Sequence, residues 1–248
     1  MNISKFISIS KVALVGLFAI LIAAPTLAQK SVEARLNDYR ERVARLEDQA
    51  AIENLQATFG YYFDKGLWKE AASLFSDKGS FEYGMMGVYI GKERIQRSLL
   101  LFGPEGLATG YLNNHMMLQN VIIVADNGKT ATGRWQGPIQ IATPGANGEW
   151  AVGVYENEYV NDKGTWKISK LHFYMTARTD YDKAWMTGAN PMSTQSALFP
   201  PDKPPTEVYR SFPGVYIPPF SFDHPVTGKS LKDIKQPVDT VVGRGVEK

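Results

Sequence analysis

FGYYFDKGLWKEAASLFSDKGSFEY, residues 59–83, reads as the end of one helix, a tight turn, a second short helix and the first strand of a sheet. Gly66 follows Asp64 and Lys65 and suits a left-handed C-terminal cap, a backbone position that side chains other than glycine rarely adopt. Leu67 to Phe75 predicts a short helix with Trp68, Ala71, Ala72 and Phe75 inward, ended by Asp77, Lys78 and Gly79. Ser80 to Tyr83 then reads as a strand. Asp64 and Lys65 stand next to Tyr61, Tyr62 and Phe63. Charge beside aromatic bulk at a helix end makes either a surface corner or the lip of a pocket.

Toward the N-terminus, Ile52, Leu55, Phe59 and Tyr62 form an apolar stripe at helical spacing. Before it, from Ser31 to about Ala50, Val32, Leu36, Tyr39, Val43 and Leu46 recur at spacings of four and three on a different face. That pattern fits either simple packing or a short coiled-coil seam with a second copy. The first 28 residues have the form of an export signal. Lys5 and Lys11 are followed by an uncharged apolar run, Val12 to Ala24, and the small residues Thr26 and Ala28 suit cleavage after Ala28. The run is short for a membrane span, which needs about 20 apolar residues. The expectation is a periplasmic or secreted mature chain from Gln29, without a membrane segment.

Toward the C-terminus, Val88–Ile90 continues the sheet and Gly91-Lys92 opens a third helix through Ile95, Leu99 and Phe102, stopped by Gly103-Pro104. Four β-branched and aromatic runs follow: Leu112–Val124, Thr130–Thr143, Trp150–Val160 and Thr165–Ala177. The turns Asp126-Asn127-Gly128-Lys129 and Asn161-Asp162-Lys163-Gly164 predict hairpins. Helices followed by an antiparallel meander give an α+β fold, with helices packed on one face of a curved sheet. From Asp180 the chain is rich in proline but also carries Trp185, Phe199, Tyr209, Phe212, Tyr216, Phe220 and Phe222. Disordered tails are poor in aromatics, so residues 180–248 read as an extended arm that wraps the domain or reaches a neighbouring subunit. The expected organisation is a signal peptide (1–28), an N-terminal helix (29–47), an α+β domain (48–179) and the arm (180–248).

The chain has no cysteine, which excludes disulfides, thiolate chemistry and lipid attachment to cysteine. Net charge is +2 with scattered Lys and Arg, so nucleic acid is not an expected partner. Three histidines on separate segments do not suggest a metal site, and no phosphate loop, dinucleotide fingerprint or nucleophile elbow occurs. No cofactor is expected.

Leu46 to Ala177 resembles the SnoaL-like proteins of the nuclear transport factor 2-like superfamily. The resemblance rests on the ordered set Tyr62-Phe63-Asp64-Lys65-Gly66-Leu67-Trp68, Leu74 to Phe81, Gly91-Lys92, Asn114-His115 early in a long strand, and Gly164-Thr165-Trp166-Lys167-Ile168 in the last hairpin. It implies a cone-shaped α+β barrel with one deep, mostly apolar pocket. It also implies membership of a group that includes cofactor-free dehydratases, isomerases, cyclases and lyases, and members that only bind. The scytalone dehydratases are similar in layout, and by that similarity Asp64, Tyr83 and His115 take the positions of functional residues. The family's helix-end tyrosine falls on Phe63, so its hydroxyl is missing unless Tyr62 supplies it, and a second family histidine falls near Pro138-Ile139. The cofactor-independent lyases of bacterial lignin catabolism belong to the same superfamily and suggest a substrate class, without a residue match.

His115 shares a strand face with Met117, Gln119 and Val121, and an imidazole in an apolar pocket serves as acid or base near neutral pH. Asp64 either orients His115 or is itself the base. Lys65, turned inward, would stabilise an oxyanion. His172 and His224 read as structural. Tyr83, Trp135, Tyr155, Asn157 and Phe173, with Tyr62, Phe63 and Met117, are the expected pocket lining. The opposite parity would bury Arg134, Glu156 and Glu158, which is costly unless they are paired. A bulge near Ser169-Lys170 reconciles the even positions Trp166 and Ile168 with the odd Leu171, Phe173 and Met175. The expected function is exported, cofactor-independent lyase, dehydratase or isomerase chemistry on an aromatic or hydrophobic small molecule, in a homo-oligomer (dimer or trimer). The alternative is a non-catalytic small-molecule-binding or oligomerisation domain of the same fold.

Overall fold

The computed structural model describes residues 31–183, 185 and 188–237. The expected signal peptide and the end of the arm lie outside those residues. Among the described residues no helix is long and apolar enough to cross a membrane. The chain divides into two compact units, with the boundary after Val43.

Helix α1 (Val32–Asp64) begins in the first unit and ends in the second. Its start is capped by Ser31, whose Oγ accepts the Ala34 N–H at 3.1 Å. Within the first unit Val32, Leu36, Tyr39 and Val43 are exposed, and the Arg42 guanidinium lies 5.9 Å from the Tyr39 ring. The change of face expected at Asp48 occurs without a break in the helix. From there on Ile52, Gln56, Phe59, Gly60 and Phe63 are buried.

In the second unit α1 is followed by α2 (Trp68–Ser73), β1 (Phe75–Tyr83), β2 (Val88–Ile90) and α3 (Lys92–Leu99), whose last turn tightens into a 3₁₀ segment, Leu100–Phe102. Strands β3 (Leu112–His115), β4 (Leu118–Val124), β5 (Thr130–Thr143), β6 (Asn147–Asp162) and β7 (Thr165–Asp180) complete one seven-stranded sheet. Its order is β2-β1-β7-β6-β5-β3, with β4 also paired to β5. The α+β class and the curved sheet are as expected, with three corrections. The second helix ends at Ser73 and β1 begins at Phe75, so the expected break at Asp77, Lys78 and Gly79 lies within the strand. The β1–β7 pairing is parallel: the first strand lies beside the last, with β2, α3 and β3–β6 between them in the chain, so no hairpin joins the two. The run Leu112–Val124 is broken at Met116-Met117, where the Met116 N–H bonds the Pro138 carbonyl and the backbone leaves the ladder.

Along β5 and β6 the odd positions face the core, from Ala131 to Ile139 and from Ala151 to Tyr159. Two bulges in β7 adjust this phase. Glu158 pairs with Lys170 but Tyr159 with Ile168, which leaves Ser169 as an extra residue at the expected place. Val152 pairs with Ala177 but Gly153 with Met175, which makes Thr176 a second extra residue.

The inner face is packed with aromatic rings. Gly137 and Gly153 are directly opposed across β5 and β6, and the Tyr155 and Phe173 rings lie against them. Tyr83 stacks on Phe173 with centroids 4.5 Å apart, and Tyr155 meets Phe173 at 4.6 Å. A Cβ on Gly153 would stand 2.2 Å from the Phe173 ring and 2.4 Å from the Tyr174 carbonyl oxygen. Backbone cannot yield as a flexible side chain does, so Gly153→Ala is expected to cost about 1–3 kcal/mol through overpacking. Urea denaturation measures this, and a variant as stable as the wild type contradicts the packing described.

Candidate active site

The end of α1 positions the first group of interest. The Leu67 N–H bonds the Tyr62 carbonyl at 2.9 Å and the Gly66 N–H bonds the Phe63 carbonyl at 3.2 Å, with Gly66 at φ 65°. This is the glycine-capped end predicted from the sequence. It leaves Asp64 on the side of the helix that faces β3. There Asp64 Oδ1 accepts the backbone N–H of His115 at 2.6 Å and lies 3.6 Å from His115 Nδ1. One residue pair away, Asn113 Nδ2 donates to the Phe63 carbonyl at 3.0 Å.

The His115 side chain is fully buried, and neither ring nitrogen has a hydrogen-bond partner among the described residues. Its ring packs edge-on against Phe63 at 4.5 Å and lies 6.5 Å from the Tyr83 ring. Burial disfavours the imidazolium and lowers the His115 pKa from its ordinary 6.5, with Asp64 acting in the opposite direction. The imidazole is therefore neutral at neutral pH, the state of a base. Asp64 and His115 both belong to the lining of a groove shared with Ala57, Gly60, Tyr61 and Met117.

Next to this pair lies a cavity of about 540 Å³. Tyr83, Phe102, Asn113, Ile139 and Met175 are among its lining residues. Asn113 and Ile139 are the immediate neighbours of His115, one along β3 on the same face and one across the ladder. His115 thus sits beside residues of the cavity wall without lining the cavity itself. Tyr83 is on the wall itself, and burial pushes its phenol well above the usual range, with Arg178 acting against this. It remains a neutral hydrogen-bond donor.

The structure therefore brings His115, Asp64 and Tyr83 together and separates the remaining candidates from the cavity. Lys65 is exposed beyond the end of α1 and lines none of the cavities described, because the cap turns the chain away immediately after Asp64. Trp135 and Asn157 face the core as expected, but they form a buried hydrogen-bonded cluster instead of lining the cavity. Trp135 Nε1 donates to the Tyr159 hydroxyl at 3.0 Å, that hydroxyl donates to Gln56 Oε1 at 2.9 Å, and Asn157 Nδ2 donates to the same oxygen at 2.9 Å. Tyr155 and Phe173 are core rings held against the two glycines. Phe63 packs on His115, and Tyr62 is half-buried against the core. Met117 borders the groove beside Asp64 and accepts a contact from Gln56 Nε2 at 3.4 Å.

Two polar groups of the wall escaped the sequence. Arg178 is held by Glu149 through contacts of 2.7, 2.9 and 3.0 Å, and both line the cavity. Glu149 precedes the expected strand start at Trp150, and Arg178 follows the expected end at Ala177. The Thr176 bulge turns Arg178 to the inner side, where it pairs with Ala151. A hairpin register carried to both strand ends would have revealed Glu149.

On the outer face, Arg134 and Glu156 form a close ion pair, capped by the Phe220 ring 4.1 Å from the Arg134 guanidinium. Burial raises the Glu156 pKa to about 7 despite that partner. His172 and Glu82 form a second buried pair at 3.5 Å, with His172 stacked on Tyr174 at 3.8 Å. Among the described residues no group of three or more His, Asp or Glu side chains is placed to hold a metal ion.

A helix-capped, curved, mostly antiparallel sheet is the architecture of the nuclear transport factor 2-like class. The SnoaL-like domain model matches residues 44–172, more than half of the chain, and the chain belongs to that family. No curated protein matches the chain. Among solved structures it is similar to a type 2 hexachlorocyclohexane dehydrochlorinase (LinA), at 24% identity and TM-score 0.50, over 58% of this chain and 95% of that one. It is also similar to a candidate scytalone dehydratase from Novosphingobium aromaticivorans DSM 12444, at 22% identity and TM-score 0.49, over 62% of this chain and 99% of that one. A protein of unknown function from Mycobacterium tuberculosis matches at 20% identity and TM-score 0.46, over 53% of this chain and 73% of that one. These likenesses describe the fold.

The buried His172 makes a prediction about stability. In the folded protein burial lowers its pKa to about 3, whereas in the unfolded chain it takes up a proton near 6.5. Between those values the unfolded state binds more protons, so this residue's contribution falls as pH falls through that window. Compared with His172→Phe, which cannot titrate there, the wild type should lose unfolding free energy progressively from pH 6.5 downward. Parallel curves for the two proteins contradict a buried neutral His172.

Proposed function

We propose that this chain is an exported, cofactor-independent lyase, dehydratase or isomerase that acts by general acid–base chemistry on an aromatic or other hydrophobic small molecule. The observation that carries the reading is the His115–Asp64 pair: a neutral, fully buried imidazole with a carboxylate 3.6 Å from Nδ1, beside the wall of a mostly apolar cavity. Asp64 favours the tautomer with the proton on Nδ1 and leaves Nε2 free to accept one. Tyr83, kept neutral by burial, donates a hydrogen bond to the negative charge that develops on a substrate oxygen. Arg178, its charge matched by Glu149, adds further donors on the wall. Elimination, isomerisation and retro-aldol cleavage all need this combination of a moved proton and a stabilised anion. The export signal and the exposed apolar stripe of Val32, Leu36, Tyr39, Val43 and Leu46 support a periplasmic or secreted homo-oligomer, a dimer or trimer.

One observation favours the alternative, a domain that binds without catalysis: the His115 ring is not itself on the cavity wall. A single probe separates the readings. In 3-hydroxy-1-phenylpropan-1-one, removal of the α-proton and departure of hydroxide give phenyl vinyl ketone and water. Removal of the hydroxyl proton with C–C cleavage gives acetophenone and formaldehyde. The wild type should turn the probe over by one of these routes, and His115→Gln should lower kcat/KM by about 100-fold or more with binding within twofold. Turnover unaffected by the substitution overturns the catalytic assignment, and binding without turnover favours the alternative.

The pH profile carries its own sign. His115 must be neutral to accept a proton, and its pKa lies below 6.5. The kcat/KM for the probe should therefore stay level from neutral pH to below 6.5 and fall only at lower pH. A decline that begins above 6.5 contradicts a buried neutral base.

A further inference from the structure

The family domain ends at Leu171-His172, yet the cavity wall does not. Met192, Ser193, Thr194 and Ser196 also line the cavity, and none of them belongs to a helix or strand. The segment that carries them is fastened on both sides of the opening. At its start the Asn190 N–H bonds the Arg178 carbonyl at 2.8 Å, and Asn190 Nδ2 donates to Asp180 Oδ1 at 2.7 Å and to Glu149 Oε1 at 3.3 Å. At its far side the fastening is denser. The Tyr89 hydroxyl donates to the Phe199 carbonyl at 2.8 Å, and Arg94 reaches the Pro200 carbonyl at 2.6 Å and Asp202 at 3.0 Å. The Val88 N–H bonds the Lys203 carbonyl at 3.0 Å, and Thr206 gives both its N–H and its hydroxyl proton to Glu82, at 2.7 and 2.8 Å.

We infer that residues 190–206 are a strap, added to the family domain, that completes the cavity, and that Met192 sets the size of molecule the cavity accepts. Between its two fastenings the strap turns one large apolar side chain inward. Met192 is half-buried, packs against the core, and has its Sδ over Gly84, beside Tyr83. The other strap residues on the wall are short hydroxyl side chains, which fill little volume. Methionine is unbranched and adapts its shape, so it fills the space left by a small ligand and limits a longer one. Gly87 shows how closely the strap is applied: a Cβ there would stand 2.6 Å from the Pro201 ring and 2.7 Å from the Lys203 carbonyl oxygen. The ligand class is an apolar molecule whose length along the strap is limited by residue 192. The inference rests on the reading of this cavity as the ligand site and does not require catalysis.

The test compares two ketones, acetophenone and the longer 4-phenylacetophenone, by calorimetric or ligand-observed NMR affinity, on the full chain. Met192→Ala should raise the affinity for the longer ketone relative to the shorter by about tenfold, the scale on which apolar pockets discriminate size. Met192→Leu, which keeps the volume, should leave the ratio within twofold and shows that the change follows side-chain size. An unchanged ratio in Met192→Ala overturns the inference, and so does failure of both ketones to bind the wild type. Turnover plays no part in this readout. Loss of the His115 effect would overturn the catalytic reading and leave the size selection standing, whereas an unchanged ratio with His115-dependent turnover would do the reverse.

Discussion

The contact between Asp64 and the backbone of His115 joins the two layers of this domain. A carboxylate at the C-terminal end of a helix is poorly placed by itself, since the unpaired carbonyls there carry partial negative charge. Here the His115 N–H, held at 2.6 Å, supplies the compensating donor. The neighbouring bond from Asn113 to the Phe63 carbonyl satisfies one of the helix-end acceptors as well. Together they tie the end of α1 to β3 and fix the imidazole of His115 beside the same carboxylate. The geometry of the candidate base is therefore a by-product of how the helix is anchored.

Around this tie the interior is divided in two. One part is filled by Gln56, Asn157, Tyr159 and Trp135, whose polar atoms satisfy one another. The aromatic layer of Tyr83, Tyr155 and Phe173 lies against Gly137 and Gly153. The other part is the open cavity, where Arg178 and Glu149 stand and where the strap passes. The outer face of the sheet is covered by the same C-terminal segment, through Thr206 on Glu82 and Phe220 on Arg134. Covering charged groups costs desolvation energy, and here it is offset by the Arg134–Glu156 pairing and by the Thr206 donors to Glu82.

Much of this was legible from residue order because it depends on near neighbours. The Gly66 cap, the hairpin turns, the inward parity of odd positions in β5 and β6, and the Ser169 bulge follow from spacing within one or two elements. The meeting of Asp64, His115 and Tyr83 came from the family resemblance, since these residues lie far apart in sequence. Features set by distant partners were not legible. The parallel β1–β7 pairing depends on a chain path between the first and last strands. The inward turn of Arg178 depends on a single extra residue at Thr176. Trp135 and Asn157 have the right parity for a pocket, and the cluster they form with Tyr159 and Gln56 of a distant helix keeps them in the core instead. Lys65 is adjacent to Asp64 in sequence, but the cap sends it outward.

The central claim is that His115 is a neutral imidazole with its proton on the nitrogen facing Asp64. Nitrogen-15 NMR of the histidine side chains, followed through a pH titration, reads the tautomer and the pKa at once. The account predicts the Nδ1–H tautomer for His115 and a pKa below 6.5. A proton on Nε2 at neutral pH, or titration at or above 6.5, would contradict it.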